Sequence, residues 1–162
     1  MLKARVMPCL LLRDGGLVKT VRFGNHAYVG DPINAVRIYN DMEVDELLFP
    51  DIRATVEGKE PPFKLIEELA GECFMPLAYG GGVRTIDQMR RLFSLGVEKV
   101  VLNAALSEVP GLVEEGAALF GRQAIVASID VKKNLFGSYE TVIRSGKKKL
   151  SAKPVDYAIE AV

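Results

Sequence analysis

The chain has 162 residues, 49% hydrophobic and 26% charged, and its 21 Lys and Arg are balanced by 21 Asp and Glu. This is the profile of a water-soluble globular protein with one core, and zero net charge argues against nucleic acid or an anionic membrane as its main partner. No apolar run approaches the roughly 20 residues that span a bilayer, and the first residues do not read as an export signal.

In chain order, the pattern predicts a strand over 4–12, a hairpin over 17–23, a helix over 32–41 and a strand over 45–50. A helix over 62–73, a strand over 76–79, a helix over 85–95 and a strand over 97–103 follow. The remainder reads as a helix over 110–120, a strand over 124–131, a hairpin over 137–150 around Ser145-Gly146, and a helix starting near Pro154. Short apolar runs alternating with amphipathic segments are the signature of βα units and a parallel sheet. Pro32, Pro62, Pro110 and Pro154 sit at helix starts, where a missing N–H does no harm. Gly96 and Gly121 fall just past two helix ends, where a left-handed residue is often needed. Nothing linker-like divides the chain, so 1–162 reads as one domain.

Reactive groups in a barrel of parallel strands gather at the C-terminal strand ends. Asp51, Asn103 and Asp130 are expected there; the alternative is that each caps a loop or the following helix. Between a strand and a helix lies Tyr79-Gly80-Gly81-Gly82-Val83-Arg84-Thr85-Ile86-Asp87-Gln88, whose glycines and Thr85…Gln88 capping box suit backbone N–H contacts to phosphate. Such a turn can equally be a tight connection. Lys19 lies on the first hairpin beside Gly15-Gly16, either as a solvated lysine or on a loop free to move. At the opposite strand ends, Arg5, Glu46 and Lys99 would form a paired charged floor, because charges facing a barrel interior must be paired. The basic run from Arg144 to Lys153 reads as a solvated loop, with attraction of an anionic substrate as the second reading. It lacks aromatics for base stacking. Cys9 and Cys73 are too few for a disulfide framework and read as buried thiols in a reducing cytoplasm. His26 falls in a polar loop, so no metal, cofactor or His-based nucleophile pair is expected.

The run Arg5-Val6-Met7-Pro8-Cys9-Leu10-Leu11-Leu12-Arg13-Asp14-Gly15-Gly16-Leu17-Val18-Lys19 closely resembles the start of the cyclase subunit of imidazole glycerol phosphate synthase. That family is a (β/α)8 TIM barrel fed with ammonia by a glutaminase. The resemblance runs from Met1 to Val162 and implies a partial barrel of five βα units, since the full fold takes eight strands and at least about 200 residues. Two open sheet edges should then make the chain self-associate. The resemblance implies catalytic roles for Asp130, Lys19 and Asp51, with Lys19 on a loop that closes over substrate. It implies phosphate binding by Gly81, Gly82 and Asn103, an ammonia gate of Arg5, Glu46 and Lys99, and glutaminase docking at Glu98 and Gln123. Ala104 stands where the cyclases usually carry a hydroxyl, and Leu11 where they carry a catalytic aspartate.

Cys9-Leu10-Leu11-Leu12, Glu72-Cys73-Phe74-Met75-Pro76-Leu77 and Val131-Lys132-Lys133-Asn134-Leu135-Phe136-Gly137 are similar to a paralogous branch. Its members accompany a glutaminase and an ATP-dependent amidotransferase that amidinate surface-polysaccharide sugars. The expectation is ammonia supply for that reaction, acting on a phosphorylated or nucleotide-linked sugar. The rivals are the histidine-pathway cyclase and a non-catalytic phosphate-binding scaffold.

Overall fold

A computed structural model of the protein describes residues 4–161. The N-terminal segment leads into β1 (Leu11–Arg13), β2 (Gly16–Val21) and β3 (Gly24–Gly30), which pair antiparallel in that order. Then come α1 (Pro32–Asp41), β4 (Leu47–Pro50), α2 (Ala54–Glu57), α3 (Phe63–Glu72), β5 (Leu77–Gly80), α4 (Ile86–Ser94) and β6 (Lys99–Leu102). After α5 (Ala105–Glu108), α6 (Leu112–Phe120) and a tight turn at Arg122–Ala124, β7 (Ile125–Ala127) completes a parallel sheet of order β4-β5-β6-β7. A second antiparallel sheet, β8 (Asp130–Lys133), β9 (Tyr139–Ile143) and β10 (Lys148–Lys149), precedes α7 (Pro154–Glu160).

Strand alternation decides where the core lies. Leu47 and Phe49, Leu77 and Tyr79, and Val100 and Leu102 are buried on one face of the parallel sheet. Val36, Ile66, Leu69, Met89 and Leu92 from α1, α3 and α4 belong to the same apolar cluster. The core therefore sits between sheet and helices, and the other sheet face, with Leu48, Gly80 and Val101, is left for the interior. Among the described residues, no helix is long and apolar enough to cross a membrane.

The main helices match the sequence pattern, but two of the expected strands do not. Over 4–12 the chain runs parallel to β4 without forming a regular ladder. Leu10 N–H donates to the Leu48 carbonyl at 2.8 Å, Leu48 N–H to Pro8 at 3.0 Å and Ile52 N–H to Leu12 at 3.0 Å. Isolated bridges join Cys9 to Leu48 and Leu12 to Asp51. Pro8 has no N–H to continue the ladder, so regular pairing begins only at β1. The strand expected over 124–131 is split: the Ser128 N–H bond to Leu102, at 2.8 Å, ends the parallel pairing. Asp130 then opens β8 opposite Val142 of β9. Both hairpins grow into three-stranded sheets. The one-turn helices α2 and α5 are too short to show a period.

Candidate active site

At the C-terminal ends of the parallel strands a cavity of about 270 Å³ opens on the interior face. Cys9, Leu11, Asp51, Gly81, Gly82, Asn103 and Asp130 all line it. The structure thus brings together five widely separated loop and strand ends that the sequence reading grouped only by position.

The glycine turn is built by close approach. Gly81 has φ +116°, and a Cβ there would lie 2.5 Å from the Asp51 carbonyl oxygen; at Gly82, with φ +72°, it would lie 2.5 Å from the Lys59 carbonyl oxygen. Buried Tyr79 donates its hydroxyl to the Gly81 carbonyl at 3.1 Å. Burial and the nearby Asp51 charge push the Tyr79 pKa well up, so the phenol keeps its proton. Gly82 N–H donates to Thr55 Oγ1 at 3.1 Å.

The capping box is present and costs the site some donors. Thr85 N–H (3.2 Å) and Arg84 N–H (2.7 Å) both donate to Gln88 Oε1, while Gln88 N–H donates to Thr85 Oγ1 at 3.2 Å. Three N–H groups around the α4 start, those of Arg84, Thr85 and Gln88, are therefore taken by the cap, and an anion here relies more on the turn and its neighbours. Asn103 spends its Nδ2 on the Ser128 carbonyl at 2.9 Å, tying the ends of β6 and β7. The capping alternative holds for Asp51, whose Oδ1 accepts from Arg53 N–H at 2.8 Å and Ala54 N–H at 3.0 Å. Its second oxygen is left for other work.

Asp130 differs from both. No hydrogen bond or ion pair compensates it among the described residues, and burial pushes its pKa up from the ordinary aspartate value. A carboxyl so placed is suited to hold and release a proton. A raised folded pKa means that the charged form costs stability, fully above that pKa and not at all below the unfolded value. Asp130→Asn should accordingly raise the melting temperature at pH 7. The gain should fade as pH falls through the ordinary aspartate range, and a gain that persisted at pH 3 would contradict this account.

Lys19 is not part of the cavity. It is exposed on β2, while the adjacent Thr20 lines the wall, because neighbours on a strand face opposite ways. His26, expected in a polar loop, lies on β3 and lines the cavity. Cys9, expected buried, is exposed toward the cavity; the apolar walls still push its thiol pKa up. Arg144 and Ser145 also reach the cavity, from the basic run first read as a solvated loop. The turn at Ser145-Gly146 was visible in the sequence. Its folding back over the mouth depends on distant contacts and was not.

At the other end of the same face, Glu46 is only 2% exposed and pairs with both Arg5 and Lys99. Two cations offset the cost of burying one carboxylate. Lys99 and Asn103 are four residues apart on one strand face, so floor and cavity are separated by about 13 Å. Glu98 and Gln123 are exposed near the starts of β6 and β7, on the floor side.

Residues 5–162 match the family model described as histidine biosynthesis protein. The chain belongs to that family. Its parallel sheet with helices outside is accordingly of the (β/α)8 barrel type. Over 158 residues it is 48% identical to a Pseudomonas aeruginosa protein provisionally named imidazole glycerol phosphate synthase subunit hisF2, covering 98% of this chain and 63% of that one. Identity is 47% over 163 residues with a provisionally named Leptospira interrogans HisF subunit, covering 100% of this chain and 64% of the relative. With imidazole glycerol phosphate synthase subunit HisF of Streptococcus gordonii it is 37% over 162 residues, covering 100% and 64%. The chain thus spans somewhat under two thirds of the length of these curated relatives.

Proposed function

We propose that this chain supplies the first five βα units of a cytoplasmic (β/α)8 barrel domain resembling the imidazole glycerol phosphate synthase cyclase subunit. In this reading the whole protein takes ammonia from a glutaminase and passes it on for amidination of a surface-polysaccharide sugar. One observation carries the reading: the two ends of the interior face have different fates. The floor keeps Arg5, Glu46 and Lys99 in one ion-pair group, while the mouth has Leu11 opposite the chemistry. A floor of that design is useful where ammonia still enters, with Glu98 and Gln123 on the docking face.

Leu11 cannot titrate, so Asp130 has no acid–base partner at that position. Asp51, and Lys19 after movement of its hairpin, are the other groups that would handle protons. Gly81, Gly82 and Asn103 would hold a phosphate of a phosphorylated or nucleotide-linked sugar. An ATP-dependent amidotransferase would use the ammonia. The relatives' printed names, imidazole glycerol phosphate synthase subunit HisF or hisF2, are compatible with either branch. The cyclase of the histidine pathway is the second reading, favoured by the raised pKa of Asp130. A phosphate-binding docking scaffold is the third.

The test is made on the whole protein with its glutaminase. Lys99→Glu should cut glutamine-driven amination about tenfold or more and leave amination from ammonium salts nearly unchanged. Equal losses in both assays would reduce the floor to a stability element.

A further inference from the structure

The turn joining β9 to β10 is fastened from three directions. Arg144 lays its guanidinium on Glu108, at the end of α5, through Nε to Oε1 and Nη2 to Oε2, both at 2.7 Å. Ser145 donates its hydroxyl to the Ile52 carbonyl at 2.9 Å. Gly146 lies against the ring of Phe23 from the first hairpin, so close that a Cβ would come within 3.0 Å. Arg144 and Ser145 adopt φ +54° and +56°, a conformation that side-chain-bearing residues seldom hold without support.

Glu108 gathers more positive charge than it can neutralise. Lys148 Nζ lies 3.4 Å from Oε1 and Arg84 Nη2 lies 3.8 Å from Oε2, so three cations surround one carboxylate. That carboxylate is 12% exposed. Arg84 follows the Gly81-Gly82 turn, and Glu108 closes the helix that follows Asn103, so both walls of the candidate phosphate cradle converge here. The fork to Glu108 uses Nε and Nη2 and leaves the Nη1 edge of Arg144 for another acceptor. Arg144 lines the cavity.

We infer that Arg144 is a specificity-determining cation that contacts a phosphate monoester in the cavity, and that Glu108 is the positioning residue that aims it. The inference rests on the proposed phosphate cradle and deepens it. The start of α4 has committed the Arg84, Thr85 and Gln88 N–H groups to its own cap, and Ala104 offers no hydroxyl. Arg144 supplies from the facing wall the donor that those positions lack. A lysine could not grip the carboxylate in two places and keep a third edge free.

Inorganic phosphate, titrated by calorimetry into the whole protein at fixed ionic strength, is the probe. Arg144→Met should weaken binding about tenfold. Arg144→Lys, which keeps the charge without the fork, should weaken it about threefold and serves if the Met variant does not fold. Glu108→Gln decides the mechanism by its sign. A carboxylate that merely neighbours the anion would, once neutralised, leave phosphate bound more tightly. One that aims Arg144 would leave it bound more weakly, and adding Arg144→Met to Glu108→Gln would then cost nothing beyond Arg144→Met alone. Tighter or unchanged binding in Glu108→Gln overturns the positioning role. Unchanged binding in the Arg144 variants, with Asn103→Ala still losing phosphate, overturns the inference and spares the cradle. Absence of phosphate binding by the unaltered protein overturns both.

Discussion

Leu11→Asp in the whole protein should raise formation of imidazole glycerol phosphate from the histidine-pathway intermediate by about 10²-fold, measured with ammonium salts as nitrogen source. Leu11 and Asp130 line the same cavity from the start of β1 and from the start of β8. A positioned acid–base group contributes about 10²–10⁴-fold, and the unaltered mouth offers Asp130 without such a partner at Leu11. The substitution carries little risk to the fold, because Leu11 is half-buried on the cavity side, outside the buried cluster that Leu12 joins. No gain with Leu11→Asp, and none when Ala104→Ser is added, would mean that the site has diverged in substrate binding as well as in proton transfer.

Gly81→Ala should be the most disruptive small substitution at the mouth. Its φ of +116° is one that alanine avoids, and the new methyl group would press on the Asp51 carbonyl oxygen from 2.5 Å. Backbone strain and overpacking together cost about 3 kcal/mol. For a chain of this size that lowers the melting temperature by roughly 6–12 °C. The collision also moves Asp51, so phosphate binding and melting temperature should fall together. Gly58 offers the control: it also has positive φ, +67°, but a Cβ there meets nothing within 4 Å. Gly58→Ala should therefore cost only the backbone strain, about 1–2 kcal/mol, and leave phosphate binding intact.

Much of the architecture could be read from local chemistry. Helix α1 begins at Pro32 with Asp31 capping Asn34 N–H at 2.9 Å, and α4 begins at the Thr85…Gln88 box, because caps and prolines act within a few residues. The floor was legible for a related reason: alternation carries Lys99 to the same face as Asn103. Failures arose where a distant partner decides the outcome. Nothing near Asp130 reveals that β8 leaves the parallel sheet to pair with β9. Nothing near Arg144 reveals that Glu108, 36 residues earlier, holds it over the cavity. His26 and Lys19 were placed by hairpin register, which includes irregularities between Leu17 and Val18 and between Lys19 and Val21. A one-residue slip exchanges inward and outward side chains. The glycine turn was recognised, but three of the N–H donors around the helix start proved to be taken by the cap.

The division of labour between the two faces of the parallel sheet has a consequence for how such a protein changes over generations. Cohesion resides on the helix-facing side, in residues such as Phe49, Tyr79, Val100 and Leu102. On the opposite side, residues at the mouth such as Leu11 line a cavity and stand outside that buried cluster. An aspartate-to-leucine exchange at position 11 would thus change the chemistry of the mouth while leaving the cohesive layer untouched. A lineage built on this plan can exchange such mouth residues singly without disturbing the layer that holds the sheet to its helices.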